Sequence, residues 1–253
     1  MAFRGRVVLI TGAGSGMGRL ATQRLARAGA EVAALDVNEE GLRETAEGHE
    51  RIRSWPLDVT DADAVDVVVK EVESSIGPVD RVYNAAAIMP TSRLLEQERD
   101  VIHRIMSINY AGLVNITLAT LPGMLERGRG DLVNFSSMAG WVPAIHFGAY
   151  NASKFAVTAF TEVLYHENRG RGVRICCVCP PPVATPLLAQ ATSKPRMLDQ
   201  MPPIAPEEVL AAIERSLDRG RLWVFPGRGI PLVWRVRRFL PGLIWWQNHR
   251  IED

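Results

Sequence analysis

The sequence of 253 residues predicts an α/β fold, a doubly wound parallel sheet of about seven strands with helices on both faces, in a single domain. First, short β-branched runs alternate with longer amphipathic segments along most of the chain, as in a parallel sheet covered by helices. Second, the first apolar run ends in a turn with four glycines in seven residues. Third, 47% hydrophobic and 23% charged residues are ordinary for a globular protein, which argues against disorder and a disulfide scaffold.

Each element follows from local sequence signals. Strands are predicted from short apolar runs that end at turn residues, and helices from amphipathic spacing or from a proline in the first turn, as at Pro206. No internal repeat or second core is visible, so residues 1–226 are predicted as one domain with a separate extension over 227–253. The predicted strands are 7–10, 31–35, 52–57, 79–83, 131–136, 173–178 and 222–225. The predicted helices are 16–28, 39–47, 61–75, 97–126, 149–168 and 206–220.

Charge and cysteine content exclude several classes of function. A net charge of +1, from 29 basic and 28 acidic residues, provides no strong field for nucleic acid. No apolar run approaches the ~20 residues of a membrane-spanning helix, and the apolar run near the start is too short for a signal peptide. The three cysteines all lie within 176–179, too close to bridge one another easily, and no second ligand cluster completes a metal site. We therefore expect a cytoplasmic protein without a metal.

The glycine-rich turn Gly12–Gly18 follows the first strand and opens the first helix. Its glycines let the backbone approach a pyrophosphate, and the helix directs free N–H groups toward that anion, although a tight turn alone would look the same. Asp36 lies about 20 residues after the turn, where a carboxylate binds the ribose hydroxyls of NAD. No basic residue stands at Ala13, Ser15 or Val37 to bind a 2′-phosphate. The sequence thus favours NAD over NADP.

A possible acid–base pair is formed by Tyr150 and Lys154, whose four-residue spacing places them on one helix face. A lysine ammonium one turn away favours the phenolate and lowers the pKa of the tyrosine, as general acid–base catalysis requires. The alternative is a solvated helix face. Ser137 favours catalysis, because it lies 13 residues before Tyr150 at the end of the fifth strand, where parallel-sheet enzymes bind their ligands.

These motifs, in this order, resemble the short-chain dehydrogenase/reductase family, in its compact single-domain NAD(P)-dependent branch with a Rossmann fold. The resemblance covers residues 5 to about 226. It implies that Tyr150 exchanges a proton with the substrate oxygen while a hydride moves between substrate carbon and nicotinamide. It also implies that Ser137 holds that oxygen, that Lys154 lowers the pKa of Tyr150 and holds the ribose, and that Asn109 positions a water. The implied cofactor contacts are Gly12, Ser15, Gly16, Met17, Gly18, Asp36, Asp58, Val59, Asn84, Ala85, Ala86, Tyr150, Lys154, Pro180, Val183 and Thr185.

Three positions depart from the family pattern. Ala85 and Ala87 replace an asparagine and a glycine after the fourth strand, so we expect a bond that braces the sheet to be missing. Pro181 replaces a glycine, and because proline fixes φ and removes a donor, we expect a stiffer or displaced backbone beside the nicotinamide.

The predicted substrate pocket is apolar, with a lid at about 186–205, and indicates a lipophilic secondary alcohol or ketone, such as a steroid, retinoid or fatty chain. An alternative is a 3-oxoacyl-thioester reductase acting on acyl carrier protein or CoA. A further alternative is a catalytically silent NAD-binding module. His146 is more typical of a polar bystander than of a substrate ligand. The candidate pocket residues are Met89, Met138, Trp141, His146, Phe147 and Leu187.

The extension over 227–253 contains five arginines, with four Trp or Phe residues between Trp234 and Trp246. This mixture is typical of an interfacial amphipathic helix, which would make weak contact with a membrane surface. Packing on a neighbouring subunit or over the cleft is the favoured alternative, since Pro231 and Pro241 leave room for only a short helix. The family resemblance also implies a homodimer or homotetramer.

Overall fold

The computed structural model describes residues 5–191, 193, 195–227 and 229–252. It contains a seven-stranded sheet in the order β3-β2-β1-β4-β5-β6-β7, in which every neighbouring pair is parallel. The predicted fold class is confirmed, and each predicted strand is present within about two residues of its expected bounds. The strands are β1 Val7–Thr11, β2 Glu31–Asp36, β3 Ile52–Pro56, β4 Arg81–Asn84, β5 Gly130–Phe135, β6 Val173–Val178 and β7 Trp223–Val224.

The helices cover both faces of this sheet. The long helix predicted over 97–126 is interrupted by a π-helical segment, Ser107–Ala111, and two 3₁₀ turns occur at Met138–Gly140 and Pro186–Gln190. The extension forms two helices instead of one, and a short helix lies within the predicted lid. The helices are α1 Gly16–Arg27, α2 Glu39–Ala46, α3 Ala62–Ile76, α4 Arg99–Met106, α5 Gly112–Glu126, α6 Gly148–Glu167, α7 Arg196–Gln200, α8 Pro206–Asp218, α9 Ile230–Phe239 and α10 Pro241–Glu252.

Two apolar layers fill the space on either side of the sheet, which explains why the strands read as continuous apolar runs. Alternate residues of β1 enter opposite layers, so that Val8 and Ile10 pack toward α1 and α8 while Val7 and Leu9 pack toward α3 and α5. The three cysteines are free and buried, as expected of small hydrophobic side chains in β6.

The run Arg99–Glu126 is long and apolar enough to cross a membrane by length and composition, contrary to the sequence expectation. Its apolar side chains Ile116, Leu121 and Met124 are buried in the layer that α3 and the sheet share. We therefore interpret this run as a core helix of the fold.

The sheet is braced by buried side chains that the sequence analysis did not foresee. The Asn84 amide donates to Asn134 Oδ1 (2.9 Å) and to Thr117 Oγ1 (3.2 Å), and Asn134 Nδ2 donates to Thr161 Oγ1 (3.0 Å). These bonds join β4 and β5 to α5 and α6. Asn84 and Asn134 therefore brace the sheet, although position 85 is an alanine and not the asparagine of the family pattern.

A second buried network lies at the opposite ends of the same strands. The fully buried Arg81 guanidinium lies 2.6 Å from an Asp131 carboxylate oxygen and 2.7 Å from Glu214, and Arg174 lies 2.6 Å from Asp131. Charges buried this completely are stable only when they are paired. The network joins β4, β5, β6 and α8 on the side away from the candidate site.

Candidate active site

The turn between β1 and α1 requires glycine at defined positions. Gly12 has a φ of 68°, and a Cβ there would lie 2.9 Å from the Ala86 backbone. At Gly18 a Cβ would overlap the carbonyl oxygen of Gly12. The Ser15 side chain does not cap α1, so the first turn of the helix can direct its N–H groups toward an anion.

Asp36 is held at the edge of this turn by two backbone donors. Gly14 N donates to its Oδ2 (2.9 Å) and Asn38 N donates to its Oδ1 (2.9 Å). The basic side chain of Arg19 nearby is bound to the Gly14 carbonyl and to the Glu44 carboxylate (2.7 Å). The carboxylate is therefore fixed, and the nearby guanidinium is already engaged.

A groove of about 550 Å³ runs along the carboxyl ends of β1, β2 and β4. Its glycine floor, its helix N-terminus and its fixed carboxylate fit a dinucleotide, since pyrophosphate needs close backbone approach and ribose needs an acceptor. Asn84 is the exception among the predicted contacts on these strands, because its side chain points into the sheet brace. The predicted contacts that line the groove are Gly12, Ser15, Gly16, Met17, Gly18, Asp36, Asp58, Val59, Ala85, Ala86 and Thr185.

A second cavity, of about 100 Å³, adjoins the groove. Met17, Ala85, Ala87, Thr185 and Leu187 line both spaces, so the two are continuous. Ser137, Tyr150 and Lys154 lie in the wall of the second cavity, together with the predicted cofactor contacts Pro180 and Val183.

The serine, tyrosine and lysine are positioned by β5 and α6. Ser137 Oγ accepts from Ala139 N (3.0 Å) at the 3₁₀ turn that follows β5. Lys154 Nζ donates to the Phe135 carbonyl (2.8 Å) and lies 5.7 Å from the ring centre of Tyr150. The predicted four-residue spacing on one helix face thus brings the ammonium next to the phenol.

Burial controls the protonation of both groups. It raises the pKa of Tyr150 to about 12, against a smaller lowering by the hydrogen bond with Ser137. This upward shift is opposite to the expected lowering, because loss of solvent around the phenol outweighs the hydrogen bond with Ser137. The effect of Lys154 on the pKa of Tyr150 stays a prediction. Burial also lowers the pKa of Lys154 to about 8. At neutral pH the pair is a neutral phenol beside an ammonium.

Asn109 lies in the π-helical segment and connects two parts of the site. Its Oδ1 accepts from Ile88 N (2.8 Å), and its Nδ2 donates to the Ile88 carbonyl (3.0 Å) and to Ser153 Oγ (3.0 Å). Ser153 Oγ in turn donates to the Tyr150 carbonyl (2.8 Å). Sequence reasoning missed Ser153, although it lies between Tyr150 and Lys154 on the same helix. The water-positioning role of Asn109 stays a prediction.

The segment after β6 is held in place by its neighbours despite three consecutive prolines. Met138 N donates to the Pro180 carbonyl (2.8 Å), and Ile204 N donates to the Pro182 carbonyl (2.9 Å). Val183 and Ile204 also form a parallel bridge. The expected stiffness at Pro181 is therefore accompanied by backbone bonds to both sides of the cavity.

Four of the six predicted pocket residues line the apolar cavity, namely Met89, Met138, Phe147 and Leu187. Trp141 does not, because its Nε1 donates to Cys179 Sγ (3.2 Å) and its ring packs against Trp223 with centres 4.8 Å apart.

His146 also lies away from the cavity. Its Nδ1 shares a hydrogen bond with Ser193 Oγ (2.8 Å), and its Nε2 lies 3.8 Å from a Glu252 carboxylate oxygen. Its backbone φ is 69°, and its side chain contacts the predicted lid and the C-terminal helix. Neither contact could be predicted from sequence, because both partners are distant along the chain.

Comparison with known proteins identifies the family. The model of the short chain dehydrogenase family matches residues 6–196. The chain belongs to the short-chain dehydrogenase/reductase family. Members of this oxidoreductase family bind a nicotinamide cofactor and act on small-molecule substrates.

This short-chain dehydrogenase/reductase is similar to two curated relatives and to one solved structure. SadH of Mycobacterium tuberculosis, named an oxidoreductase, is 36% identical over 197 residues, covering 76% of this chain and 71% of that protein. The fatty acyl-CoA reductase of Acinetobacter baylyi is 34% identical over 212 residues, covering 81% of this chain and 70% of that protein. A short-chain dehydrogenase/reductase from Burkholderia phymatum, solved in complex with NAD, is 25% identical with a TM-score of 0.86, covering 96% of each chain.

Proposed function

We propose that the protein interconverts a lipophilic secondary alcohol and its ketone with NAD as the hydride carrier, and that Tyr150 is the general acid and base. The observation that carries this proposal is the position of Ser137 and Tyr150 in the wall of an apolar cavity that opens into the dinucleotide groove. A substrate oxygen bound by both hydroxyls would lie between the two spaces.

Tyr150, Ser137 and Lys154 have different roles in proton transfer. In ketone reduction, the neutral Tyr150 phenol gives its proton to the substrate oxygen, and the Ser137 hydroxyl donates a hydrogen bond to the same oxygen. The Lys154 ammonium stabilises the phenolate that remains. A nicotinamide cofactor held by the glycine turn and Asp36 would supply the hydride chemistry in either direction. In alcohol oxidation the same phenolate takes the proton back.

Asp36 supports a preference for NAD. Its fixed carboxylate lies where it can accept bonds from ribose hydroxyls, and it would repel a 2′-phosphate. The guanidinium of Arg19, which could otherwise bind such a phosphate, is paired with Glu44.

The cavity lining supports a lipophilic substrate. Apart from Lys154 at its inner end, the described lining contains no charged side chain that could bind a carboxylate or phosphate. Apolar pockets with a few polar groups at one end are typical of sites for apolar ligands. The contributing apolar side chains include Met89, Met138, Val142, Phe147, Leu187, Leu188, Leu198 and Met201.

The test is a turnover assay with NAD or NADP and a panel of steroids, retinol, 3-hydroxyacyl thioesters, short alcohols and sugars. We expect NAD reduction by a lipophilic alcohol, and loss of turnover with retained NAD binding in Tyr150→Phe. Undiminished activity of Tyr150→Phe would refute the proton-transfer role. NAD binding without turnover of any substrate would instead indicate a silent NAD-binding module.

A 3-oxoacyl-thioester reductase, which reduces the ketone and leaves the thioester intact, is the second candidate. It is supported by the similarity to the 3-ketoacyl-(acyl-carrier-protein) reductase of Brucella melitensis, which is 26% identical with a TM-score of 0.79 and covers 88% of this chain and 98% of that chain. Activity confined to NADP(H) and acyl thioesters in the same panel would replace the first proposal with this one.

We also propose a cytoplasmic homodimer or homotetramer. The three cysteines remain free, as expected in a reducing compartment. Leu118 on α5 and Phe155 and Val163 on α6 are exposed, and a second subunit would cover them. Light scattering of the purified protein tests this assembly, and a monomeric mass would refute it.

A further inference from the structure

The C-terminal extension forms a two-helix hairpin, made of α9, α10 and the turn between them. Its inner side packs on its own chain: Val233, Val236 and Ile244 belong to one apolar cluster with Met138 and Val142, which also line the substrate cavity. The hairpin therefore forms the outer layer of the cavity wall.

The second helix is also attached to the loops that surround the cavity. Asn248 Nδ2 lies 3.5 Å from the Pro143 carbonyl, and Arg196 of α7 donates to the Ile251 carbonyl (3.5 Å). Since α7 lies in the predicted lid and Pro143 lies between Ser137 and Tyr150, α10 contacts two borders of the cavity.

The outer side of the hairpin is apolar and exposed. Six of the thirteen large hydrophobic side chains that the described chain exposes lie within 232–246. Phe239 is 74% exposed, Leu240 58% and Trp246 57%. Soluble monomers rarely concentrate apolar side chains in this way unless the surface binds something. The six are Leu232, Phe239, Leu240, Leu243, Trp245 and Trp246.

The charged side chains of the hairpin are mostly basic. From Ile230 to Ile251 the sequence contains four arginines and no acidic residue. Arg235 and Arg238 are exposed on α9, and the Arg250 guanidinium lies 5.4 Å from the ring centre of Trp246 on α10. Aromatic and aliphatic side chains bordered by arginines complement a bilayer surface that contains anionic phospholipids.

We propose that the α9–α10 hairpin docks the protein onto anionic membrane surfaces, with Phe239, Leu240, Leu243 and Trp246 inserted at the level of the headgroups. The arginines then face the lipid phosphates. Docking there places the lid and the cavity wall beside the bilayer. A lipophilic substrate would enter the cavity from the membrane, and this last step alone depends on the proposed function.

The experiment is flotation of the full chain with vesicles of phosphatidylcholine, with and without phosphatidylserine, in the absence of NAD and substrate. We expect binding to the anionic vesicles that weakens with added salt. The double variant F239S/W246S should bind about a hundredfold more weakly, because each buried aromatic side chain contributes on the order of tenfold in affinity. Arg235→Gln with Arg238→Gln should lower binding to anionic vesicles only.

The matched control is Val67→Ser, which removes an exposed apolar side chain (55% exposed) from α3. It should bind vesicles as the unmodified chain does, and unchanged thermal unfolding of all variants confirms intact folds. Absence of binding to anionic vesicles, or equal binding by F239S/W246S, would overturn the proposal. A change of oligomeric state in F239S/W246S without vesicle binding would overturn it in favour of a subunit interface. Turnover of a water-soluble alcohol, measured separately, tests the proposed function independently.

Discussion

Replacing Lys154 by methionine should raise the free energy of unfolding above that of the unmodified chain, and the increase should be larger at neutral pH than at high pH. The same replacement should abolish turnover. Lys154 is 2% exposed, and the one hydrogen bond described for its Nζ goes to the Phe135 carbonyl. Burial lowers the pKa of this lysine from 10.5 to about 8. Methionine has a similar length and no charge, so it fills the same space without the desolvation penalty.

The magnitude follows from linkage between protonation and folding. Each pKa unit corresponds to about 1.4 kcal/mol. Between the folded pKa of about 8 and the unfolded value of 10.5, the unfolded chain binds more protons, so the stability of the unmodified protein rises with pH. From pH 7 to pH 10 this gain amounts to about 2 to 3 kcal/mol. The methionine variant lacks this gain in stability. Its difference in unfolding free energy from the unmodified chain should therefore be about 2 to 3 kcal/mol smaller at pH 10 than at pH 7.

The assay is urea unfolding followed by tryptophan fluorescence at pH 7 and pH 10, at constant ionic strength. Comparing the two proteins at each pH cancels the titration of the other groups. Lys70→Met is the matched control, because Lys70 is exposed on α3, and its effect should be equal at both pH values. If the difference in unfolding free energy between Lys154→Met and the unmodified chain is equal at pH 7 and pH 10, the inference that burial destabilises this ammonium is refuted.

Three further predictions concern the cofactor groove and the buried network. Asp36→Ala should raise the kcat/KM with NADP relative to NAD by at least about tenfold, since it removes one repulsive charge; unchanged preference would mean that the ribose is recognised elsewhere. Gly12→Ala should weaken NAD binding and lower stability by about 1 to 3 kcal/mol, because its φ is 68° and its Cβ would meet the Ala86 backbone; calorimetric titration that finds full affinity would contradict this. Asp131→Asn should lower the free energy of unfolding by about 3 to 5 kcal/mol, because two arginines lose their buried partner; urea unfolding with a smaller loss than an exposed Asp63→Asn would refute it.

Much of the fold follows from local sequence, because periodicity and turn chemistry act over a few residues. The helix α8 ends at Asp218, two residues before its predicted end at Gly220, and β6 is Val173–Val178 as predicted. The exception is α10. The sequence predicts that Pro241 ends a helix, whereas in the structure Pro241 begins α10, where its missing N–H costs nothing. The helix also exposes Trp245 and Trp246, so it lacks an amphipathic period.

In the site, residues that depend on short spacing were predicted, and residues that depend on loop packing were not. Tyr150 and Lys154 are one turn apart on α6, and helix geometry alone brings them together. Trp141 and His146 were expected in the pocket because of their position between β5 and α6. Their side chains instead bind Cys179 and Ser193, which are distant in sequence.

The sequence by itself determined the succession of strands and helices along the chain, the glycine turn before Asp36, and the spacing of Tyr150 and Lys154. Each of these depends on residues that are close together in the sequence. Only the tertiary structure decided the protonation of that pair, since a pKa depends on how much solvent the rest of the chain removes. The tertiary structure also placed the C-terminal hairpin against the cavity wall. That contact depends on residues more than a hundred positions apart, such as Val142 and Ile244.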